Sequence, residues 1–105
     1  MKAVLIKAEG EWETIETQGT YEEICEAVGG YIEYSRLKNI GSMYVNEEGK
    51  LLNLPVNMIA TTVFSQINNW VDVIVGDAIV FGPIDENGNE TPVTQEFIDL
   101  LVQVS

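Results

Sequence analysis

The chain opens with Lys2-Ala3-Val4-Leu5-Ile6-Lys7, a short apolar run of mostly branched residues that reads as a largely buried strand. Gly10 marks a turn. Trp12, Thr14 and Glu16 then alternate with Glu11, Glu13 and Ile15, as in a half-exposed strand, so the two runs predict a hairpin. From Thr20 the period lengthens to that of a helix. Tyr21, Ile24, Cys25 and Val28 share one apolar face, and Glu22, Glu23 and Glu26 fall on the other, towards the end where the helix dipole favours them. Thr20 and Glu23 form a capping box, and Gly29-Gly30 stops the helix.

Alternation returns over 31–37. Tyr31, Glu33, Ser35 and Leu37 point one way, and Ile32, Tyr34 and Arg36 the other. Lys38-Asn39-Ile40-Gly41 turns the chain into a short strand at Met43, Tyr44 and Val45. Asn46-Glu47-Glu48-Gly49 has turn chemistry, and Lys50, Leu51 and Leu52 are predicted to return as another strand. Pro55 breaks the chain and Asn57 caps a second helix, on which Ile59, Val63 and Ile67 align beside Ala60 and Phe64. After Asn68-Asn69, residues 70–75 and 78–81 are two β-rich pieces around Gly76-Asp77. Residues 85–89 form a polar turn. Thr94 opens a last helix whose stripe is Phe97, Ile98, Leu101 and Val104. The order β-β-α-β-β-α-β-β-α predicts one α+β domain over 1–105, with a mainly antiparallel sheet and two or three helices.

Composition supports a packed core. With 46% hydrophobic residues and 9% aromatics, the 105-residue chain is too apolar for disorder and fits a single domain. Charge narrows the partners. Seventeen acidic residues face five basic ones, for a net charge of −12. Direct binding to nucleic acid or to an anionic membrane is excluded, because phosphate recognition needs a Lys/Arg surface. No histidine is present, which removes the commonest proton shuttle and metal ligand. The lone Cys25 cannot form an internal disulfide, and a reducing, cytoplasmic compartment is expected. The amino end is apolar for four residues before Lys7, which suits a strand and is too short for a signal peptide.

Val28-Gly29-Gly30-Tyr31-Ile32-Glu33, then Val45-Asn46-Glu47-Glu48-Gly49-Lys50-Leu51, then Leu54-Pro55-Val56-Asn57 and Asp72-Val73-Ile74-Val75-Gly76-Asp77-Ala78 follow one another along the chain. In that order they resemble the pattern of a family of small uncharacterised proteins encoded by bacteriophages, plasmids and other mobile elements. Val56 stands where that family often has a second proline. The resemblance implies action inside a bacterial host cell. It carries no activity and no assigned site.

Candidate chemistry is sparse. Cys25 sits mid-helix on the apolar face and reads as a packing residue. One cysteine and no histidine cannot make a zinc site. Asp85, Asn87, Asn89 and Glu96 have part of a calcium-loop spacing, but the glycine falls at position four and the flanks are not two helices, so a solvated turn is expected. Asn89-Glu90-Thr91 matches a glycosylation acceptor by chance. Glu33 and Asp77 lie in apolar segments and are candidates for a carboxylate pair; an exposed face and a corner are the simpler readings. Gly29-Gly30 follows a helix, so it terminates that helix and does not cradle a phosphate. No catalytic residue, metal or cofactor is expected.

Two binding readings follow. In the first, the acidic surface steers the chain to a host protein, including one that itself binds nucleic acid, and Trp12, Tyr31, Glu33 and Tyr34 anchor it. In the second, Asn57, Thr61 and Thr62 at a helix start, with Lys50 approaching, hold a nucleotide-like molecule. The stripe on the last helix covers the sheet or forms a homodimer seam.

Overall fold

Gly10 adopts a φ of 106°, and this left-handed corner folds β1 (Lys2–Lys7) back antiparallel onto β2 (Glu11–Glu16), with Ile6 opposite Trp12. The computed structural model describes residues 1–105. The remaining elements are α1 (Tyr21–Val28), β3 (Ile32–Leu37), β4 (Gly41–Asn46), α2 (Met58–Asn68), β5 (Ala78–Phe81) and α3 (Gln95–Val104). The five strands make one antiparallel sheet in the order β2-β1-β5-β4-β3. The late strand β5 thus joins two hairpins formed earlier in the chain.

Each face of the sheet has its own core. On one, Val4, Ile6, Leu37, Met43 and Val80 pack with Phe64 of α2 and with Phe97 and Leu101 of α3. On the other, Ala3, Tyr44, Ile79 and Phe81 pack with Ile24 and Val28 of α1. This explains why every residue of β4 and β5 is buried: a strand covered on both sides has no solvent face to alternate with. Each large apolar side chain sealed this way, such as Phe97, contributes about 1.5–3 kcal/mol. The stripe on α3 therefore covers the sheet, with Phe97 and Leu101 fully buried and Ile98 and Val104 partly so.

All three helix starts are capped as expected. Thr20 accepts from Glu23 N–H, Asn57 from Ala60 N–H and Thr94 from Phe97 N–H. Glu23 reaches back past the cap and accepts from Gln18 N–H at 3.0 Å. Partial desolvation pushes its carboxyl up, but these hydrogen bonds outweigh it and hold Glu23 below the usual range.

Two expected strands are absent. Residues 50–52 fold into successive turns, with Leu52 N–H bonded to Glu48 C=O and Leu54 N–H to Gly49 C=O. The reason is topological: β4 already has β3 and β5 as neighbours, so a returning strand finds no free edge. Residues 70–75 form no strand either. They are tied down by the Thr61 side chain, which accepts from Ile74 N–H at 2.9 Å, and by Asn57 N–H bonding Ile74 C=O. Only Val75 pairs, in an isolated bridge to Val56.

Candidate functional site

Helix α1 presents more apolar surface than the sheet covers. Ile24 and Val28 are buried, but Tyr21 is 56% exposed and Cys25, one turn on, is only half-buried. Cys25 is therefore not the sealed packing residue expected from the sequence. The neighbouring thiol holds the Tyr21 phenol above its ordinary value. The helix ends at Gly29, at a φ of 80°, where the N–H groups of Gly29 and Gly30 both return to Cys25 C=O.

Gly30 stands at a close approach. A Cβ there would lie 3.0 Å from Nδ2 of Asn46. That buried amide donates to Val28 C=O and its oxygen accepts from Glu48 N–H, which joins the end of α1 to the turn after β4. The joint brings Tyr31, 66% exposed, beside Tyr21, with Leu52 from the 47–54 turns closing the other side. The result is a groove of about 520 Å³ with Tyr21, Cys25, Tyr31 and Leu52 as its apolar lining, Glu22 and Glu48 as its charged lining, and no basic side chain.

Of the four residues expected to anchor a partner, Tyr31 lies in this groove. Trp12 lies outside it. It packs half-buried against the α2/α3 core, and its indole N–H donates to Ser105 Oγ at 3.0 Å, latching the end of α3. Tyr34 is on the α1 face of β3, stacked at a tilt on Tyr44 with ring centroids 5.6 Å apart. Glu33 points to the other face and lines a cleft with Ser35 and Asp72. The four do not make one patch.

The residues expected to hold a nucleotide are placed differently from that expectation. Asn57 is fully buried: its amide donates to Ile6 C=O and Gly76 C=O, each at 2.9 Å, while its oxygen caps α2. It is a joint between β1, α2 and the start of β5, with no group left for a ligand. Thr61 is bound to Ile74. Thr62 is half-buried beside it in α2. Lys50 pairs with Asp72 at 3.3 Å on the surface. Asp77 accepts from Ala8 N–H at 2.9 Å, a corner pin. Asp85 accepts from the N–H groups of Asn87 and Asn89, which closes the polar turn.

Two features went unread in the sequence. Glu90 accepts a hydrogen bond from the Tyr44 hydroxyl, and its other oxygen is buried without a partner. Trp70, assigned to a strand by its neighbours, is instead 57% exposed and stands edge-to-face on Phe64 at 5.0 Å. An isolated tryptophan beside Asn68-Asn69 was the available signal for the second; nothing local marks the first.

No helix is long and apolar enough to cross a membrane. No curated protein and no solved structure matches the chain. A family model described as a domain of unknown function, DUF3846, matches residues 1–104, and with this near-complete coverage the chain belongs to the DUF3846 family.

Proposed function

We propose that this protein is a small accessory protein that binds another protein through the Tyr21–Tyr31–Leu52 groove and does not transform it. One observation carries the reading: three large apolar side chains stand more than half exposed around one concavity whose charged lining is wholly acidic. Aromatic anchors with few rotatable bonds lose little entropy on docking, which suits Tyr21 and Tyr31 to that role. The carboxylates select a partner segment that pairs an apolar anchor with Lys or Arg, and the net charge of −12 steers it in. The resemblance to phage and plasmid proteins supports a host bacterial protein as the partner.

A photoreactive phenylalanine at position 31, expressed in bacterial cells, tests this. The expected result is a discrete cross-linked protein, joined through a Lys/Arg-bearing segment, whose yield falls with salt and is lost in Leu52→Ser. Cross-links that persist unchanged in a folded Tyr21→Ser, Leu52→Ser variant, or that fall on acidic segments, overturn it.

A further inference from the structure

β3 is an edge strand, with β4 on one side and no strand on the other. Glu47 N–H donates to Tyr31 C=O at 2.8 Å, so in this antiparallel pair residues 31, 33, 35 and 37 turn their backbone groups in towards β4. Ile32, Tyr34 and Arg36 therefore turn theirs outward. Asn68 Nδ2 donates to Arg36 C=O at 2.9 Å and closes that one position. The N–H and C=O of Ile32 and Tyr34 and the N–H of Arg36 have no protein partner. No proline or bulge interrupts this stretch, so it is a ready template for another strand. Side chains flank the edge on both faces, Tyr34 and Arg36 on the α1 side and Glu33 and Ser35 on the α2 side. On the α2 side a cleft of about 650 Å³ opens onto the edge, since its lining includes both Arg36 and Asn68, the two ends of that hydrogen bond. Its walls hold Glu33, which is in no ion pair, Asp72, and the exposed Trp70 indole, set edge-to-face on Phe64. Lys38 also lines it, at the hairpin end, so the Glu33 end is the acidic one.

We infer that β3 receives an additional antiparallel strand from the partner protein, with a Lys or Arg of that strand opposite Glu33 and an apolar residue opposite Tyr34. The inference rests on the reading that this protein binds a protein segment, and it continues that site: Tyr31 directly precedes β3, so a segment seated in the groove runs on along the edge. Main-chain hydrogen bonds with Ile32 and Tyr34 hold the segment, and alternate side chains give it specificity. A cation opposite Glu33 lies on the cleft side, where Glu33 and Asp72 attract it and the Trp70 face accepts it. An apolar residue opposite Tyr34 extends the Tyr34–Tyr44 stack. An acidic strand is repelled at Glu33, so the edge selects the same Lys- or Arg-bearing segment as the groove. A second copy of this chain is disfavoured, because it brings the same net charge of −12.

Titration of the nitrogen-labelled whole protein with the peptide acetyl-Thr-Phe-Lys-Val-Leu-amide, followed by amide NMR, tests the inference. In antiparallel register the peptide Phe lies opposite Tyr34, Lys opposite Glu33 and Val opposite Ile32, and Leu reaches Tyr31. The Ile32 and Tyr34 amide signals are expected to move saturably, and those of Thr14 and Glu16 on the other edge strand to stay. Methylating the backbone nitrogens of the peptide Phe and Val removes the donors to the Tyr34 and Ile32 carbonyls and keeps every side chain, so binding should weaken by about tenfold or more. Exchanging the peptide Lys for Glu should weaken binding by about tenfold, and Glu33→Gln in the protein by about threefold. Shifts confined to Tyr21 and Tyr31, with the methylated peptide binding equally, overturn the added strand and leave the groove reading standing. Edge shifts of full size in a folded Tyr21→Ser, Leu52→Ser variant support the added strand and count against the groove. Absence of a saturable shift at Ile32 and Tyr34, shifts of equal size at Thr14 and Glu16, or edge signals that move on dilution of the protein alone, the mark of a second copy, each overturn the inference.

Discussion

Tyr44, in the middle of β4, donates its hydroxyl to a carboxylate oxygen of Glu90, 46 positions later, and so clasps the loop before α3 onto the α1 face of the sheet. Burial pushes the Glu90 carboxyl above its ordinary 4.5, and the Tyr44 hydrogen bond only partly offsets this. Burial, followed by the carboxylate beside it, pushes the Tyr44 phenol above its usual range as well, so it remains a donor.

The sign of the pH effect follows. Folded protein binds the Glu90 proton more tightly than unfolded protein does. Stability from this group is fully present below 4.5 and is lost as pH rises through the raised folded value. Glu90→Gln keeps an acceptor for Tyr44 and removes the buried charge. At pH 7 the variant is expected to be more stable by about 1 kcal/mol, and the difference should shrink towards pH 4. Urea unfolding of both proteins at the two pH values checks this; a difference independent of pH contradicts it.

Asn57 closes three buried backbone groups at once, two carbonyls and one amide. Asn57→Ala leaves all three unpaired and removes a helix cap. The expected loss is about 3–5 kcal/mol in denaturant unfolding. Asn57→Asp restores the cap but points a carboxylate at two carbonyls, so it should fare little better. A loss under about 1 kcal/mol in Asn57→Ala would show that other groups satisfy the joint.

Gly82 is needed for space. A Cβ there would lie 2.3 Å from Pro92 O and 2.5 Å from Thr91 Oγ1. Both its backbone groups are also engaged, the N–H with Thr91 C=O and the C=O with the buried Ser42 hydroxyl. Gly82→Ala is expected to destabilise by about 1–3 kcal/mol, as overpacking does. An unchanged thermal midpoint would mean that the 82–92 loop shifts freely.

Two ion pairs exist, the amino terminus with Glu16 at 3.4 Å and Lys50 with Asp72 at 3.3 Å, against seventeen acidic residues. Most carboxylates are therefore uncompensated. Screening over a Debye length of about 10 Å at 0.1 M salt should raise the melting temperature as salt is added. A flat or falling midpoint between low and moderate salt would show that the carboxylates are too far apart to repel.

The sequence by itself determined the local pieces. The apolar run at Lys2–Lys7, the alternating run at Glu11–Glu16, the opposite facing of Leu37 and Ile32 in β3, the caps at Thr20, Asn57 and Thr94 and the stop at Gly29 all stand where the sequence pattern put them. Such features depend on neighbours within one turn or one pleat, and a few residues specify them. Of the candidate site, the exposed position of Tyr31 just past the Gly29-Gly30 stop is the part that the spacing made visible. Only the tertiary structure decided the rest. It placed β5 between the hairpins, which left 50–52 no free edge on β4, and it tied 70–75 to Asn57 and Thr61 through Ile74. It buried Asn57, turned Trp12 onto Ser105, stood Trp70 half-exposed on Phe64, and set Glu90 under Tyr44. In each case the deciding partner is far along the chain, and a hydrogen-bonding or aromatic side chain carries no local signal of which distant group it will meet.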